Sequence, residues 1–98
     1  MRVRLLPTSS EWSRSPETYI ALAAELDELG YRSQIAAERP DADKRDSTAD
    51  LELHFEADTP GHAQADALAK LVRRRLERTK HFSIYAGSGE LLRQGWSM

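Results

Sequence analysis

The chain has 98 residues and no cysteine, with 14 basic and 16 acidic side chains and a formal net charge of -2. This length suits one domain, and the lack of cysteine excludes disulfides and thiolate metal sites. No apolar run approaches the roughly 18 residues of a membrane span, and the N-terminal residues turn polar too quickly for a signal peptide. We therefore expect one cytoplasmic domain of bacterial type over residues 1–98, without membrane association.

The first half of the sequence predicts a strand, a helix and a second strand. Basic and apolar residues alternate over 2–6, as in a strand with one buried face. The helix begins at Pro16 behind Ser15, which can cap it, and Gly30 ends it. Weaker alternation over 31–38 predicts a second strand near an edge of the sheet.

Residues 39–49 predict a mobile charged loop. They contain Pro40, are dense in aspartate, lysine and arginine, and show no apolar periodicity. Solvation accounts for these charges, and docking to a partner is the alternative.

The second half repeats the plan and adds a hairpin. Strict alternation over 50–57 predicts a half-buried strand. A threonine-proline start and an apolar stripe predict a helix over 59–78. A strand over 81–86, a glycine-rich turn over 87–89 and a strand over 90–96 then form a hairpin.

The order of these elements predicts an α+β fold. Two successive strand–helix–strand units favour a ferredoxin-like split βαβ two-layer sandwich (βαββαβ) with an extra C-terminal hairpin strand. Both helices would cover one face of the sheet and run antiparallel. The other face would be exposed, either solvated or open to a partner, and its polar candidates are Arg2, Arg4, Glu52, His54, Glu56, His81 and Tyr85.

The second helix ends in a cluster of positive charge. Cations near a helix C-terminus are stabilised by the helix dipole, which accounts for several of them. Binding to a protein partner or to nucleic acid is the functional reading. Against nucleic acid stand the slightly acidic chain and the lack of paired aromatic residues on the predicted sheet face. The cluster comprises Lys70, Arg73, Arg74, Arg75, Arg78 and Lys80.

The first helix carries the opposite charge at its C-terminal end, at Glu25, Asp27 and Glu28. Negative charge is unfavourable there, so helix propensity does not explain these residues. In the predicted antiparallel pair the acidic and basic ends lie too far apart to neutralise each other. The pattern therefore predicts head-to-tail self-association or docking to a charged partner.

The sequence offers little for catalysis. His54 and His81 with Glu52 and Glu56 can in principle bind zinc or act as acid and base, if the strands bring them together. Ser88 lies between glycines but lacks the context of a nucleophile elbow. We therefore expect no enzymatic activity, no metal and no cofactor.

Several features of the second half occur together in one known family. They are Leu51-Glu-Leu53 before an alanine-rich helix, the Leu71-Val-Arg-Arg-Arg75 ending, the strand over 82–86 and the Gly89-Glu90 hairpin. With them, residues 51–92 resemble the effector-associated constant component family, small α+β proteins encoded beside effectors in bacterial conflict systems. The resemblance implies a non-enzymatic adaptor that works with a separately encoded effector.

These observations favour a small non-enzymatic interaction or adaptor module that engages a protein partner or a second copy of itself. The contact surface would be the basic end of the second helix or the exposed sheet face. A nucleic-acid-binding domain that uses residues 70–80 is one alternative. A small-ligand regulatory domain, with a pocket at a strand–helix or dimer junction, is the other.

Overall fold

The structure is a computed structural model that describes residues 1–36, 49–56, 61–77 and 79–97. Within these ranges the chain is α+β, as predicted, with five strands in one sheet and three helices. The strands are β1 (Arg2–Pro7), β2 (Arg32–Ile35), β3 (Leu51–Phe55), β4 (His81–Tyr85) and β5 (Leu91–Trp96). The helices are α1 (Ser9–Arg14), α2 (Pro16–Glu28) and α3 (His62–Arg75).

The strands lie in the order β2-β1-β3-β4-β5. β1 is parallel to β2 and β3 is parallel to β4, whereas β1 and β3 are antiparallel. Each pair of parallel neighbours is joined through a helix, α2 or α3, so two βαβ units meet side by side at β1 and β3. The ferredoxin-like arrangement is not confirmed. In a split βαβ unit another strand lies between the two parallel strands, whereas here the parallel strands of each unit are direct neighbours. β5 pairs antiparallel with β4, as the predicted hairpin requires.

One hydrophobic core lies between the sheet and the two longer helices. Alternate residues of β1, β3 and β4 point into it, which is the expected result of a two-residue side-chain period. Both α2 and α3 contribute to this core, so both cover the same face of the sheet, as predicted. Burial of each leucine or phenylalanine there contributes about 1.5 to 3 kcal/mol. The strand residues of this core that have no exposed surface are Val3, Leu5, Leu51, Leu53, Phe82 and Ile84.

Helix α1 is an element that the sequence-based prediction missed. The side chain of Thr8 caps it by accepting a hydrogen bond from the backbone N–H of Glu11, at 3.2 Å. Thr8 and Glu11 have the spacing of a capping box, in which a threonine is followed three residues later by a glutamate. That signal was present in the sequence, although α1 has too few apolar positions to show a helical period.

Three predictions concern residues outside the described ranges. Of the proposed mobile loop over 39–49, the structure describes only Ala49, which is fully buried. The predicted start of the second helix at Thr59 and Pro60 is not among the described residues, and the described helix begins at His62. Arg78 also lies outside them.

Candidate functional site: a basic groove beside an edge strand

Two cations of the predicted basic cluster are engaged within the molecule. Arg75 Nε donates to a carboxylate oxygen of Glu25, which links α3 to α2. Lys80 Nζ donates to Glu11 Oε2 at 3.0 Å, and the Lys80 side chain is only 17% exposed. Lys80 is therefore not available as a surface charge, whereas Arg75 stays half-exposed with its charge offset by Glu25.

The other described cations of the cluster have no carboxylate partner among the described residues. Lys70, Arg73 and Arg74 are exposed on α3, and none of them forms a salt bridge with a described residue. The nearby carboxylate of Asp66 is already engaged, because Arg93 Nε donates to it at 2.6 Å. That contact lowers the pKa of Asp66 and keeps the carboxylate charged.

These three cations line an open groove of about 490 Å³ on the outer side of α3, together with Ala67. Lys70, Arg73 and Arg74 are spaced three and four residues apart, so they share one side of the helix. Alanine at position 67 adds no bulk at this end of the groove. A carboxylate that entered the groove would meet up to three positive charges at once, and arginine can bind it through two parallel hydrogen bonds.

The groove reaches β5 through Arg73. The guanidinium carbon of Arg73 lies 5.7 Å from the centre of the Phe82 ring, within the range of a cation–π contact. This position depends on Gly95, since a Cβ atom there would lie 2.9 Å from Arg73 Nη2 and 3.3 Å from Phe82 Cζ. A glycine inside a strand can mark such a close approach, which was the available sequence signal for this contact.

The acidic end of α2 is also partly engaged. The prediction that Glu25 lies too far from the basic end of α3 is wrong, because Arg75 bridges the two helices where they pack together. Asp27 Oδ1 accepts hydrogen bonds from both the backbone N–H and the hydroxyl of Ser33, each at 2.9 Å. These bonds lower the pKa of Asp27. Glu28 is exposed and forms no ion pair with a described residue.

The second face of the sheet, opposite the helices, is not the exposed surface that the sequence predicted. Glu52, His54 and Tyr85 are buried, with exposed fractions of 1%, 4% and 5%. His54 Nε2 lies 2.8 Å from Glu52 Oε1, and its ring stacks on Tyr85 with centroids 4.8 Å apart. Ser83 is fully buried beside them. The prediction failed because polarity at alternate positions was equated with exposure, although buried polar groups can be paired with one another.

The remaining residues of the predicted sheet surface lie around this buried centre. Arg2 is exposed, and Arg4 and Glu56 are intermediate. Glu56 forms long ion pairs with both arginines, at 3.9 and 3.6 Å. His81 is half-buried against Trp96, with ring centroids 5.0 Å apart. The exposed parts of these residues are therefore separated by buried side chains and do not form one continuous docking surface.

The structure does not assemble the four side chains considered for zinc or acid–base chemistry. His54 lies opposite Tyr85, so four residues of β4 separate it from His81. At about 3.3 Å per residue this separation exceeds 10 Å. Glu56 is directed to arginines. Among the described residues, no group of three or more histidine, aspartate or glutamate side chains is placed to hold a metal ion.

A buried polar network beside α1 was not predicted. The Glu11 carboxylate is 5% exposed and accepts hydrogen bonds from the Tyr19 hydroxyl at 3.0 Å, from Lys80 and from Arg14. Burial and the neighbouring negative charge of Glu11 raise the pKa of Tyr19. Because each partner satisfies another, we assign this network a role in stabilising the fold.

Comparison with protein-family models, curated proteins and solved structures found no match to this chain. Among the described residues, no helix combines the length and the apolar character that crossing a membrane requires. The candidate site is therefore identified from the structure alone. It is the groove beside β5 whose three cations form no salt bridge with a described residue.

Proposed function

We propose that the protein is a small non-enzymatic interaction module that binds an acidic segment of a protein partner in the groove of α3. The observation that carries this proposal is the set of three exposed cations without a carboxylate partner among the described residues. The other described arginines and lysines near α3, which are Arg75, Lys80 and Arg93, form ion pairs within the molecule, so the described cations without such a pair are concentrated in one place.

Helix stability alone is a poor reason for this concentration. The helix dipole favours cations in the last turn, which includes Arg73 and Arg74. Lys70 lies before that turn, where the dipole contributes little. Like charges three and four residues apart cost about 0.2 to 0.5 kcal/mol per pair. A bound carboxylate would relieve this repulsion.

The size of the charged area favours a protein partner over nucleic acid. Nucleic-acid binding by charge uses an extended basic surface that contacts many phosphates. Among the described residues, the charges of Arg75, Lys80 and Arg93 are each offset by a carboxylate, and the chain as a whole carries -2. Three cations match a short acidic segment. The same role, an adaptor in a bacterial cytoplasm that engages a separately encoded effector, is what the family resemblance implies.

The test is a titration with two probes: a fluorescent dodecapeptide of alternating glutamate and valine, and a single-stranded oligonucleotide of twelve nucleotides. We expect the peptide to bind and Arg73→Glu with Arg74→Glu to weaken binding at least tenfold, equivalent to about 1.4 kcal/mol. The affinity should fall with salt, since exposed charges are screened.

A matched control is Arg2→Glu with Arg32→Glu, which makes the same change in net charge on exposed residues of β1 and β2. This control should keep its affinity for the peptide. Equal losses in both double variants would show that only net charge matters and would contradict the proposed site. Binding of the oligonucleotide without the peptide would favour the nucleic-acid alternative.

A further inference from the structure

In the part of the chain that the structure describes, the sheet has two edge strands, β2 and β5, and they are protected to different degrees. An edge strand presents backbone N–H and C=O groups that can pair with another chain, so proteins usually block such edges. The difference between the two edges indicates which one is open to a partner.

The edge of β2 is blocked by a side chain. The backbone N–H groups of Arg32 and Ala36 donate to β1, so the intervening Ser33 directs its N–H away from the sheet. Asp27 accepts a hydrogen bond from that outward N–H at 2.9 Å. The strand is also only four residues long. An incoming strand would have to displace Asp27 before it could pair.

The edge of β5 is covered at one point only among the described residues. Arg93 Nη1 donates to the outward carbonyl of Leu92 at 2.6 Å, next to a register shift in the pairing with β4. No side chain of a described residue accepts from an N–H group beyond that point in β5. Ser97 N–H donates to the Lys80 carbonyl at 2.9 Å, which fixes the alternation of the strand beside β4. By this alternation the N–H groups of Gln94 and Trp96 point to the open edge. β5 has six residues, and Trp96 at its end is 60% exposed.

The two faces of β5 differ in chemistry. On the helix side, Gly95 lies below Arg73, next to the basic groove. On the opposite side, Trp96 packs against His81 and leaves most of its surface uncovered. A strand added to β5 would place alternate side chains toward the cations and the others beside the tryptophan.

We propose that the acidic partner segment binds as an extended strand along the open edge of β5, with acidic side chains in the α3 groove and apolar side chains against Trp96. This inference rests on the proposed function and specifies the conformation and the sequence pattern of the ligand. Main-chain hydrogen bonds supply affinity in such strand addition, and alternate side chains supply specificity.

A second copy of this chain is a poor occupant of the same edge. Pairing of β5 with β5 of another molecule about a twofold axis would place both α3 helices on the same face of the joined sheet. Lys70, Arg73 and Arg74 of one copy would then lie near the same residues of the other. Like charges at an interface oppose association, so the charge of the groove selects an acidic partner.

Backbone methylation of the alternating glutamate-valine dodecapeptide tests this mode of binding. In an extended strand the N–H groups of alternate residues all point to the same edge. One peptide carries N-methyl groups on its glutamates and the other on its valines. Each peptide therefore lacks the N–H donors along one of its two edges. We expect one methylated peptide to bind like the parent and the other to bind at least tenfold more weakly.

A variant of the protein gives the reciprocal measurement. Gln94→Pro removes an outward N–H of β5 and leaves the bonds to β4 in place, since those come from the neighbouring residues. This variant should bind the parent peptide at least tenfold more weakly than the unaltered protein does, and it should keep the same circular dichroism spectrum. If Gln94→Pro does not fold, the two methylated peptides still decide the question on the unaltered protein.

The outcomes separate this inference from the proposed function. Equal binding of both methylated peptides, with the loss on Arg73→Glu and Arg74→Glu retained, would overturn strand addition and leave the acidic groove standing. No binding of the parent peptide would overturn both. A dimer that Gln94→Pro converts to a monomer would show that the occupant of β5 is a second copy and would also overturn the inference.

Discussion

At the scale of single residues, the acidic side chains that local propensity left unexplained have intramolecular roles. Asp27 sits where the helix dipole is unfavourable, yet it holds Ser33 of β2 through two hydrogen bonds. Glu25 holds Arg75 of α3. A charge that conflicts with its own helix can therefore be placed to satisfy a neighbouring element.

Glu11 is the acidic residue whose loss we expect to be most costly. Glu11→Gln leaves the half-buried Lys80 without its counter-charge and weakens the bond from Tyr19, so we expect a loss of about 1 to 3 kcal/mol in the free energy of unfolding. Urea denaturation of the variant measures it. The double variant with Lys80→Met should recover part of the loss, because no unpaired cation remains. Strictly additive losses would contradict the coupling.

At the scale of elements, the edge of β2 depends on the charge state of Asp27. The lowered pKa of this carboxyl means that its hydrogen bonds to Ser33 stabilise the fold fully above the ordinary carboxyl pKa of 3.8. That contribution is lost as the pH falls through the lower pKa of the folded state. The attachment of β2 to α2 should therefore weaken in acid.

Asp27→Ala should be less stable than the parent protein at pH 7, and the difference should shrink as the pH is lowered below about 4, where the carboxylate becomes protonated. Thermal unfolding across that range measures both effects. Glu28→Ala is the control, since it removes an exposed acid near the same helix end and should leave stability equal or slightly higher. A constant difference at all pH values would show that the carboxylate charge is not involved.

The elements with strong periodicity were predictable, whereas their arrangement was not. Alternation located β1, β3 and β4, and a serine-proline start located α2. The neighbour of each strand is set by long-range packing, so the side-by-side βαβ units could not be read from the sequence. Local pattern also cannot distinguish a buried polar face from an exposed one, which explains the error at Glu52 and His54.

For the candidate site, the sequence supplied the charges but not their partners. All six cations of the cluster looked equivalent along the chain. Separation of Lys70, Arg73 and Arg74 from Arg75 and Lys80 required the positions of Glu25 and Glu11, which lie far away in sequence. The contact of Gly95 with Arg73 likewise depends on how α3 crosses β5.

At the scale of the whole molecule, the pairing of acidic side chains within the chain argues against head-to-tail assembly. Glu25 and Asp27 are already engaged, so the acidic end of α2 offers little to the groove of a second molecule. We expect light scattering to give the mass of a monomer, 11.1 kDa, at both low and high salt. A dimer that dissociates as salt is raised would contradict this and support the original self-association hypothesis.

The meeting of two βαβ units at β1 and β3 also has a consequence for folding kinetics. Within each unit the paired strands are about thirty residues apart, as for Arg2 and Arg32 or Leu51 and Phe82. The pairing of Val3 with Phe55 joins the units across a longer stretch of chain. Closing a longer loop costs more entropy and slows folding. Pairing of β1 with β3 therefore closes the longest loop between paired strands, and we expect this step to limit the folding rate. Destabilising substitutions in this pair should then slow refolding more than substitutions in β2 or β5, which stopped-flow refolding measures.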